Sequence, residues 1–420
     1  MKILQALNHS FFRHVPNLLI LAGFLAFFIP LQAKAQVIDL EKIPPIVEVE
    51  EIPDDVFEAQ TALIRQMPFE DQFLEHTVRI PKDWKLRAAK PRDSVSVEDS
   101  IDALEGVEKS AVKLFGTFAE YVSPPKNQIR SFFTLEALEL GYEIEAQHWF
   151  VNYIFSQGYS LEALSVISKT QAEGLYVQLI DNTTYLVRVM AFINGPRIVL
   201  ARYYVAQEHY MEERALQAKV VKSFQLTNID TSGIEVMESF SFLNEAFFDY
   251  PASWYLIPSK IKTIARMKAT LVQSKNIDSL SGQISMFLVS KIEKTTLQEE
   301  IEDFKTKLEI PDYSLGRYLG PETLDYHSDI YFGATEVYEM KPDVVTQIDY
   351  ELWVSVMESD GYYIIASLLT PGRGAEFYTW AQNQEAYKHV VATIRQYDET
   401  LTAPSNQVLD KESLNLDSRK

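Results

Sequence analysis

Apolar and polar positions alternate along most of this chain, and they do so twice in the same order. In the first copy, period-two alternation predicts strands over residues 75–80, 113–122, 129–140, 174–180, 184–192 and 197–205. Helical spacing there predicts helices over residues 143–155 and 207–224. In the second copy, the same patterns predict strands over residues 265–273, 283–292, 330–339, 345–357 and 362–370, and helices over residues 297–308 and 377–397.

Short landmarks mark the two copies as a repeat. Paired positions recur in the same order in both copies: Pro81 with Pro251, Trp84 with Trp254, Gln128 with Gln283, Tyr159 with Tyr313, and Gly195 with Gly361. A repeat of this kind sets the domain count and the order of elements. We therefore predict an α+β fold of two tandem α/β/α modules, residues 71–227 and 237–399, each with a central, mainly antiparallel sheet flanked by helices.

The segments outside the modules differ from them in composition. Residues 36–70 are acidic and punctuated by prolines, which predicts an extended or polyproline II arm, with a short helix over residues 56–67. Residues 228–236 have linker composition, and because the linker is short we expect the modules to pack together. The polar tail, residues 400–420, is predicted to be disordered.

The N-terminus has the three parts of a secretory signal peptide. Basic residues precede an apolar run at 18–29, and Ala33 and Ala35 supply the small residues of a cleavage site. We predict a signal peptide over residues 1–35, cleaved after Ala35, and a periplasmic or secreted protein with no membrane span after cleavage. An uncleaved N-terminal anchor is the alternative, although the run is short for a span.

Charge and cysteine content narrow the classes of partner and of chemistry. The formal net charge is −20, which should repel nucleic-acid phosphates and anionic lipid headgroups. The chain has no cysteine, so disulfides, thiolate nucleophiles and cysteine-based metal sites are excluded.

The Pro-x-x-Trp entry at Pro81 and Pro251, the strand run, the middle helix, the three antiparallel strands and the closing helix together resemble the Mog/PsbP-like family. The end of the first closing helix, residues 220–224, also looks like that family's last helix. The resemblance covers both modules and implies an antiparallel sheet with helices on both faces. The family includes photosystem assembly subunits, a Ran-binding protein, envelope proteins of the DcrB type and cytoplasmic chaperones of type VI secretion effectors. Most of these are adaptors or chaperones. The predicted signal peptide departs from the chaperones.

Candidate chemistry is sparse. On a strand, Asp325, His327 and Asp329 would share one face and could ligate a metal, although a polar edge or loop is the simpler interpretation. His209 and Glu212 lie one helical turn apart, and the backbone of residues 372–374 (Gly-Arg-Gly) could bind an anion. A solvated helix face and an ordinary loop are the simpler interpretations of these two. No pattern selects a catalytic, cofactor-binding or metal-binding residue.

The leading functional prediction is a non-enzymatic periplasmic adaptor, assembly factor or chaperone acting on an envelope or secretion complex. The arm would tether or dock it. A periplasmic small-molecule or lipid-binding protein is the first alternative, and a carboxylate- or metal-dependent hydrolase is the second. The repeated Trp84 and Trp254 are interpreted as core side chains, with a pair of ligand-facing aromatics as the alternative. Clusters such as Tyr203-Tyr204 are interpreted as core in the same way.

Overall fold

The computed structural model describes residues 40–87, 114–258, 263, 265–276, 279–307, 313–343 and 348–396. The predicted signal peptide and the predicted tail lie outside the described residues. Within the described segments, no helix is long and apolar enough to cross a bilayer.

The first module contains three helices and ten strands among its described residues. They are α1 (Asp54–Gln60), β1 (Thr61–Gln66), β2 (His76–Pro81), β3 (Lys85–Arg87), β4 (Leu114–Val122), β5 (Phe132–Glu139), α2 (Ala146–Ser156), β6 (Ser160–Ser168), β7 (Gln171–Ile180), β8 (Thr183–Asn194), β9 (Arg197–Ala206), α3 (Tyr210–Lys222) and β10 (Gln225–Leu226). The strands form a seven-stranded sheet in the order β3-β4-β5-β9-β8-β7-β6 and a three-stranded sheet in the order β1-β2-β10.

The second module repeats this arrangement strand for strand. Its described elements are β11 (Met237–Phe242), β12 (Ala246–Pro251), β13 (Tyr255–Pro258), β14 (Arg266–Asn276), β15 (Ser279–Ser290), α4 (Leu297–Lys307), β16 (Tyr313–Glu322), β17 (Ile330–Pro342), β18 (Tyr350–Ser359), β19 (Tyr362–Pro371), α5 (Phe377–Thr393) and β20 (Arg395–Gln396). The sheets are ordered β13-β14-β15-β19-β18-β17-β16 and β11-β12-β20. The predicted class, α+β with two tandem modules built on antiparallel sheets, is confirmed.

Both Pro-x-x-Trp turns have the same backbone geometry. The Trp84 N–H donates to the Pro81 carbonyl at 3.0 Å, and the Trp254 N–H donates to the Pro251 carbonyl at 3.0 Å. The preceding strands also pair with β10 and β20 in the same register. This landmark therefore identifies equivalent positions in the two modules.

The glutamine landmark does not identify equivalent positions. Phe132 pairs with Tyr204 of β9, and Gln283 pairs with Leu369 at the equivalent position of β19. Gln283 is therefore equivalent to Phe132, which lies four residues after Gln128. Gln128 lies in a turn with φ of 68°. The predicted alignment of the two glutamines is wrong because it matched a turn residue to a strand residue.

The two glycine turns also differ. The hairpin between β8 and β9 has Gly195 and Pro196 at its centre, with φ of 57° at Gly195. Positive φ at the first central residue alone is the pattern of a type II′ turn. Gly361 is the second central residue of its hairpin and does not have positive φ. Gly195 and Gly361 are therefore not equivalent.

The end of the predicted arm belongs to the first module. β1 pairs with β2 as β11 pairs with β12, and Phe57 of α1 is buried in the first module's core. The helix predicted over residues 56–67 is therefore wrong in its second half, because Thr61–Gln66 adds a strand to the small sheet. Residues 43–53 remain extended and are described below.

A shared core joins the modules. One face of the first large sheet packs against α3 and the small sheet β1-β2-β10. Its other face packs against α2, and this core continues into α5, the small sheet β11-β12-β20 and the inner face of the second large sheet. The predicted linker is also anchored, since Asp230 binds Arg197 at 2.8 Å and the Ile234 N–H donates to Glu143 at 2.7 Å. The expectation that the modules pack together is confirmed.

Candidate functional site

The second large sheet has an outer face, which is turned away from the shared core. The equivalent face of the first large sheet is covered by a helix. In the first module, helix α2 buries Trp149, Phe150 and Ile154 against that face. Phe150 sits on Gly174, where an added Cβ would lie 2.2 Å from the ring. Helix α2 is therefore seated closely on its sheet.

A buried ion pair fills the middle of this covered face. Arg202 pairs with Glu136, and its guanidinium donates to the Tyr153 hydroxyl of α2 at 3.1 Å. Burial raises the pKa of Tyr153 to about 12. By strand register, Arg202 and Glu136 correspond to Ser367 and Phe287 of the second module.

The equivalent helix of the second module, α4, covers its sheet poorly. Its sequence places only three apolar side chains toward the sheet, Leu297, Ile301 and Phe304, and all three stay half-buried. A capping box begins the helix: Thr296 and Glu299 bond reciprocally, and the Thr296 N–H lowers the pKa of Glu299. Local capping therefore defines α4, while its packing leaves much of the sheet uncovered.

A groove of about 400 Å³ lies between α4 and the outer face. Phe287 and Ile365 form its apolar floor, together with the small side chains of Ser285 and Ser367. Phe304 forms one wall, with its ring edge-on to Phe287 at 5.6 Å between centroids. The groove occupies the place where the first module holds its buried ion pair.

Charged side chains line one end of the groove. Arg266 donates two hydrogen bonds to the buried carboxylate of Glu300, at 2.6 and 2.7 Å, and this pairing raises the pKa of Arg266. Lys268 lies over the Phe287 ring at 4.8 Å, and Lys307 pairs with Asp303 at 2.7 Å. Arg266 and Glu300 thereby fix α4 to β14 at one end.

An apolar strip continues from the groove across the outer face. Strand alternation places Leu352, Val354 and Val356 of β18 on this face, and their partners on β17 are Tyr338, Glu336 and Ala334, so a carboxylate interrupts the apolar row. Tyr318, which pairs with Tyr338, and Phe332, which lies six residues before Tyr338 on β17, are 48% and 46% exposed at opposite ends of this row. We call this surface the outer strip; it comprises the groove, Leu352, Val354 and Val356 of β18, and the exposed Tyr318 and Phe332.

The sequence-predicted tryptophans lie elsewhere. Trp254 is 3% exposed within the shared core, and Trp84 is half-buried against Tyr203 at 5.0 Å. Both pack against protein side chains, as the core interpretation predicted. Tyr203 and Tyr204 are likewise buried in the two cores.

The tyrosine landmarks flank edge strands that the sequence analysis missed. Tyr159 immediately precedes β6 and stacks on Tyr176 at 5.3 Å. Tyr313 opens β16 and lies edge-on to Tyr350 at 5.1 Å.

Two polar motifs do not form the sites that their spacing would allow: a metal site at Asp325, His327 and Asp329, and a pair between His209 and Glu212. His327 and Asp329 lie in a loop and contact each other at 3.3 Å, so a shared strand face with Asp325 does not arise. His209 contacts Glu208 rather than Glu212. Among the described residues, no group of three or more His, Asp or Glu side chains could hold a metal.

The Gly-Arg-Gly loop does bind an anion, but the anion belongs to the protein. The Arg373 N–H donates to Glu351 at 3.1 Å, and the Trp380 indole donates to the same carboxylate at 2.8 Å. The Arg373 guanidinium lies over the Trp380 ring at 4.3 Å. The loop thus joins β18 to α5.

Sequence reasoning missed the groove residues, although a signal was present. The residues of α2 (AQHWFVNYIFS) are rich in large apolar side chains, whereas those of α4 (LQEEIEDFKTK) are not. Comparing the two helices as repeat partners would have indicated which module has an open face.

Comparisons with known proteins are distant. No protein-family model and no curated protein matches this chain. Among solved structures, it is similar to cyanobacterial PsbP (CyanoP) from Synechocystis sp. PCC 6803, at 14% identity over 41% of this chain and 99% of that one, with a TM-score of 0.26. It is also similar to a chain of the Tle4–Tli4 complex, at 10% identity over 77% and 95% of the two chains, with a TM-score of 0.21.

A further similarity is to the immunity protein TplEi of the T6SS from Pseudomonas aeruginosa, at 10% identity over 80% and 97% of the two chains, with a TM-score of 0.20. Similarities at this level carry no argument about function. The predicted PsbP-like resemblance is supported only loosely, and the coarser statement of two tandem sheet modules is the one that stands.

Proposed function

We propose that this chain is a non-enzymatic binding protein of the bacterial envelope, and that it holds a protein partner on the outer strip of its second module. One observation carries the proposal: the two modules share a topology, yet the face that α2 covers in the first is left open in the second. Tyr318 and Phe332 are the exposed apolar side chains of this face, and exposed apolar surface beside a groove marks interaction sites in soluble proteins.

The shape of the surface favours a protein partner. The groove accepts one or two apolar side chains, and the strip beyond it extends over β18 to Tyr318 and Phe332. A protein segment can cover both at once. Aromatic residues are also enriched in the cores of protein interfaces.

Charge indicates what should flank the partner's apolar residues. The exposed side of α4 carries Glu299 and Glu302, with Lys305 beside Glu302, in a chain whose net charge is −20. Complementary potentials steer association and discriminate against wrong partners. We therefore expect the partner segment to be apolar, with basic residues on the side that faces Glu299 and Glu302.

The cellular role follows the sequence-based expectation of an adaptor, assembly factor or chaperone for an envelope or secretion complex. The N-terminal signal pattern supports export. The open strip supports a role in holding a partner.

The test is cross-linking of the tagged protein in intact cells, with surface variants compared side by side. Phe332→Asp and Tyr318→Asp place a charge on the strip, and Leu179→Asp places one at a site of the first module that is 68% exposed. We expect one defined adduct to disappear in the two strip variants and to persist in Leu179→Asp. Adducts that persist in all three variants would count against the proposal.

A small-molecule or lipid ligand is the second candidate. The groove volume of about 400 Å³ falls in the range of ligand pockets, and Lys268 beside Phe287 could meet an anionic head group. Native mass spectrometry of the protein purified from its host distinguishes the two candidates. A bound mass that Phe304→Asp removes would favour the ligand.

A further inference from the structure

An extended segment of the chain crosses the edge of the first module, from Ile43 beside the shared core to Ile52 on the face that carries α3. From here on, the arm means residues 43–53, the part of the predicted arm that precedes helix α1. The Leu164 N–H donates to the Pro44 carbonyl at 2.9 Å, and the Ile46 N–H donates to the Ser165 hydroxyl at 3.1 Å. Further along, Lys219 of α3 donates to the Ile52 carbonyl. The arm thus runs from the edge strand β6 to helix α3.

The arm presents one apolar ridge to the module. Its half-buried residues fall at every third position, Ile43, Ile46, Val49 and Ile52, and every residue between them is exposed. Polyproline II has three residues per turn, which gives this period, and Pro53 has φ of −53° and ψ of 144°. The burial period over residues 43–52 and the backbone angles of Pro53 fit polyproline II, and this segment lies on the surface of the protein's own first module.

The surface under the arm is basic in a chain that is acidic overall. Four cationic side chains line it, Arg79, Arg188, Lys219 and Lys222, and Arg79 pairs with Glu58 of α1 at 2.9 Å. Lys219 pairs with Asp54 at 2.6 Å, and this hydrogen bond lowers the pKa of Asp54. Arg188 is buried and pairs with Glu173 at 2.6 Å. We call this surface the basic cleft.

The arm fills the cleft incompletely and is held weakly. A space of about 580 Å³ remains between the two, lined by the cations on one side and by arm carboxylates such as Glu48 and Glu51 on the other. Asp54 is 92% exposed, and ion pairs this exposed contribute little to stability. Among the described residues, the remaining contacts of the arm are three hydrogen bonds and the half-buried ridge. A competing segment could therefore displace the arm.

We propose that the basic cleft is a second binding site, for an extended acidic segment of a partner protein with branched aliphatic residues at every third position. The arm is the resident competitor for this site. Extended segments of this kind bind with little loss of conformational entropy. A tethered competitor has an effective concentration of about millimolar, so only a matching segment at high local concentration displaces it. This site lies on a different module from the outer strip and does not depend on the proposed function.

The experiment uses the full chain, which has no native cysteine. Ile46→Cys with Ser165→Cys joins the arm to β6 under oxidising conditions, at positions whose N and Oγ atoms are 3.1 Å apart. Ile46→Asp with Ile52→Asp releases the arm by placing charges on its ridge. The probe is a fluorescent synthetic peptide of residues 42–56, and its binding is followed by anisotropy.

We expect the oxidised Ile46→Cys, Ser165→Cys chain not to bind the peptide, and the same chain after reduction to bind it weakly. The released chain, Ile46→Asp with Ile52→Asp, should bind at least about tenfold more tightly than the reduced chain. Lys219→Glu in the released chain should abolish binding, whereas Lys85→Glu, which makes the same charge change at an exposed strand, should not. Circular dichroism and melting curves establish that each variant is folded. A folded, released chain that fails to bind the peptide overturns the proposal, and so does equal binding by the oxidised and released chains.

Discussion

The contact between the modules should make the stability of this protein sensitive to acid through His148. This histidine of α2 is buried, with its ring edge-on to Trp380 of α5 at 5.4 Å and its Nδ1 3.2 Å from Gln384. Burial lowers its pKa from 6.5 to about 4, opposed by Glu145 and assisted by Lys388 and Arg373. The perturbation is His148→Gln, which keeps a hydrogen-bonding side chain and removes the titration.

The magnitude follows from the two pKa values. Between pH 6.5 and about 4, His148 takes up a proton in the unfolded chain and stays neutral in the folded one. The unfolded state therefore binds more protons, so the free energy of unfolding falls as the pH falls through this window. A difference of about 2.5 pKa units corresponds to about 3 kcal/mol. The contribution is complete above pH 6.5, and the loss stops below about pH 4.

The assay is urea unfolding of both proteins across this pH range, scored as the difference between them. The difference is needed because burial raises the pKa of Glu235 to about 7, which acts on stability in the opposite direction. The wild type should lose about 3 kcal/mol relative to His148→Gln between pH 7 and pH 4. His327→Gln, in a partly exposed loop, is the control for removing a histidine. A difference between wild type and His148→Gln that stays constant with pH would refute this reasoning.

Three further predictions concern packing. Because the modules share one core, thermal unfolding should give a single transition and limited proteolysis should not release two stable halves; two separate transitions would contradict this. Gly174→Ala should destabilise the protein by about 1–3 kcal/mol because its Cβ meets the Phe150 ring, and the loss should shrink in combination with Phe150→Leu, measured as a double-mutant cycle. Trp254→Ala should cost about 3–5 kcal/mol in urea unfolding and Trp84→Ala clearly less, since only Trp254 is fully buried; equal losses would show that this difference in burial is not decisive.

The repeated topology could be predicted from the sequence because strand alternation and closing helices are local signals. The bounds of β9 and β19 match the predicted strands to within one residue. The register between the copies could not be predicted, since it depends on which residues pair across strands. Gln128 and Gln283 have similar sequence neighbours, yet one lies in a turn and the other in a strand.

Edge strands were the elements most often missed. β16 leaves Leu315 and Tyr318 exposed and lacks a clean alternation, so its sequence carries no strong period-two signal. The sequence predicts a helix over residues 56–67, whereas Thr61–Gln66 forms β1 and pairs with β2. Pairing across the small sheet, rather than local propensity, decides its conformation.

The candidate site depends on a difference between the two modules. A single copy read alone gives no reason to expect an open face over Phe287 and Ile365. Aligned as repeat partners, the weakly apolar α4 and the small residue Ser367 at the position of Arg202 indicate the groove. The surface that the arm contacts could not be predicted either, because the basic cleft is assembled from separate elements, including Arg79 of β2 and Lys219 of α3.

The central claim is that the outer strip holds a protein partner, and site-specific photo-cross-linking in intact cells tests it most directly. A photoreactive side chain would replace Phe332 or Tyr318 on the strip, or Leu179 on the first module as the control. We expect one adduct of defined mass from both strip positions and none from the control. Strip positions that yield no adduct, or only the adducts that Leu179 also yields, would contradict it.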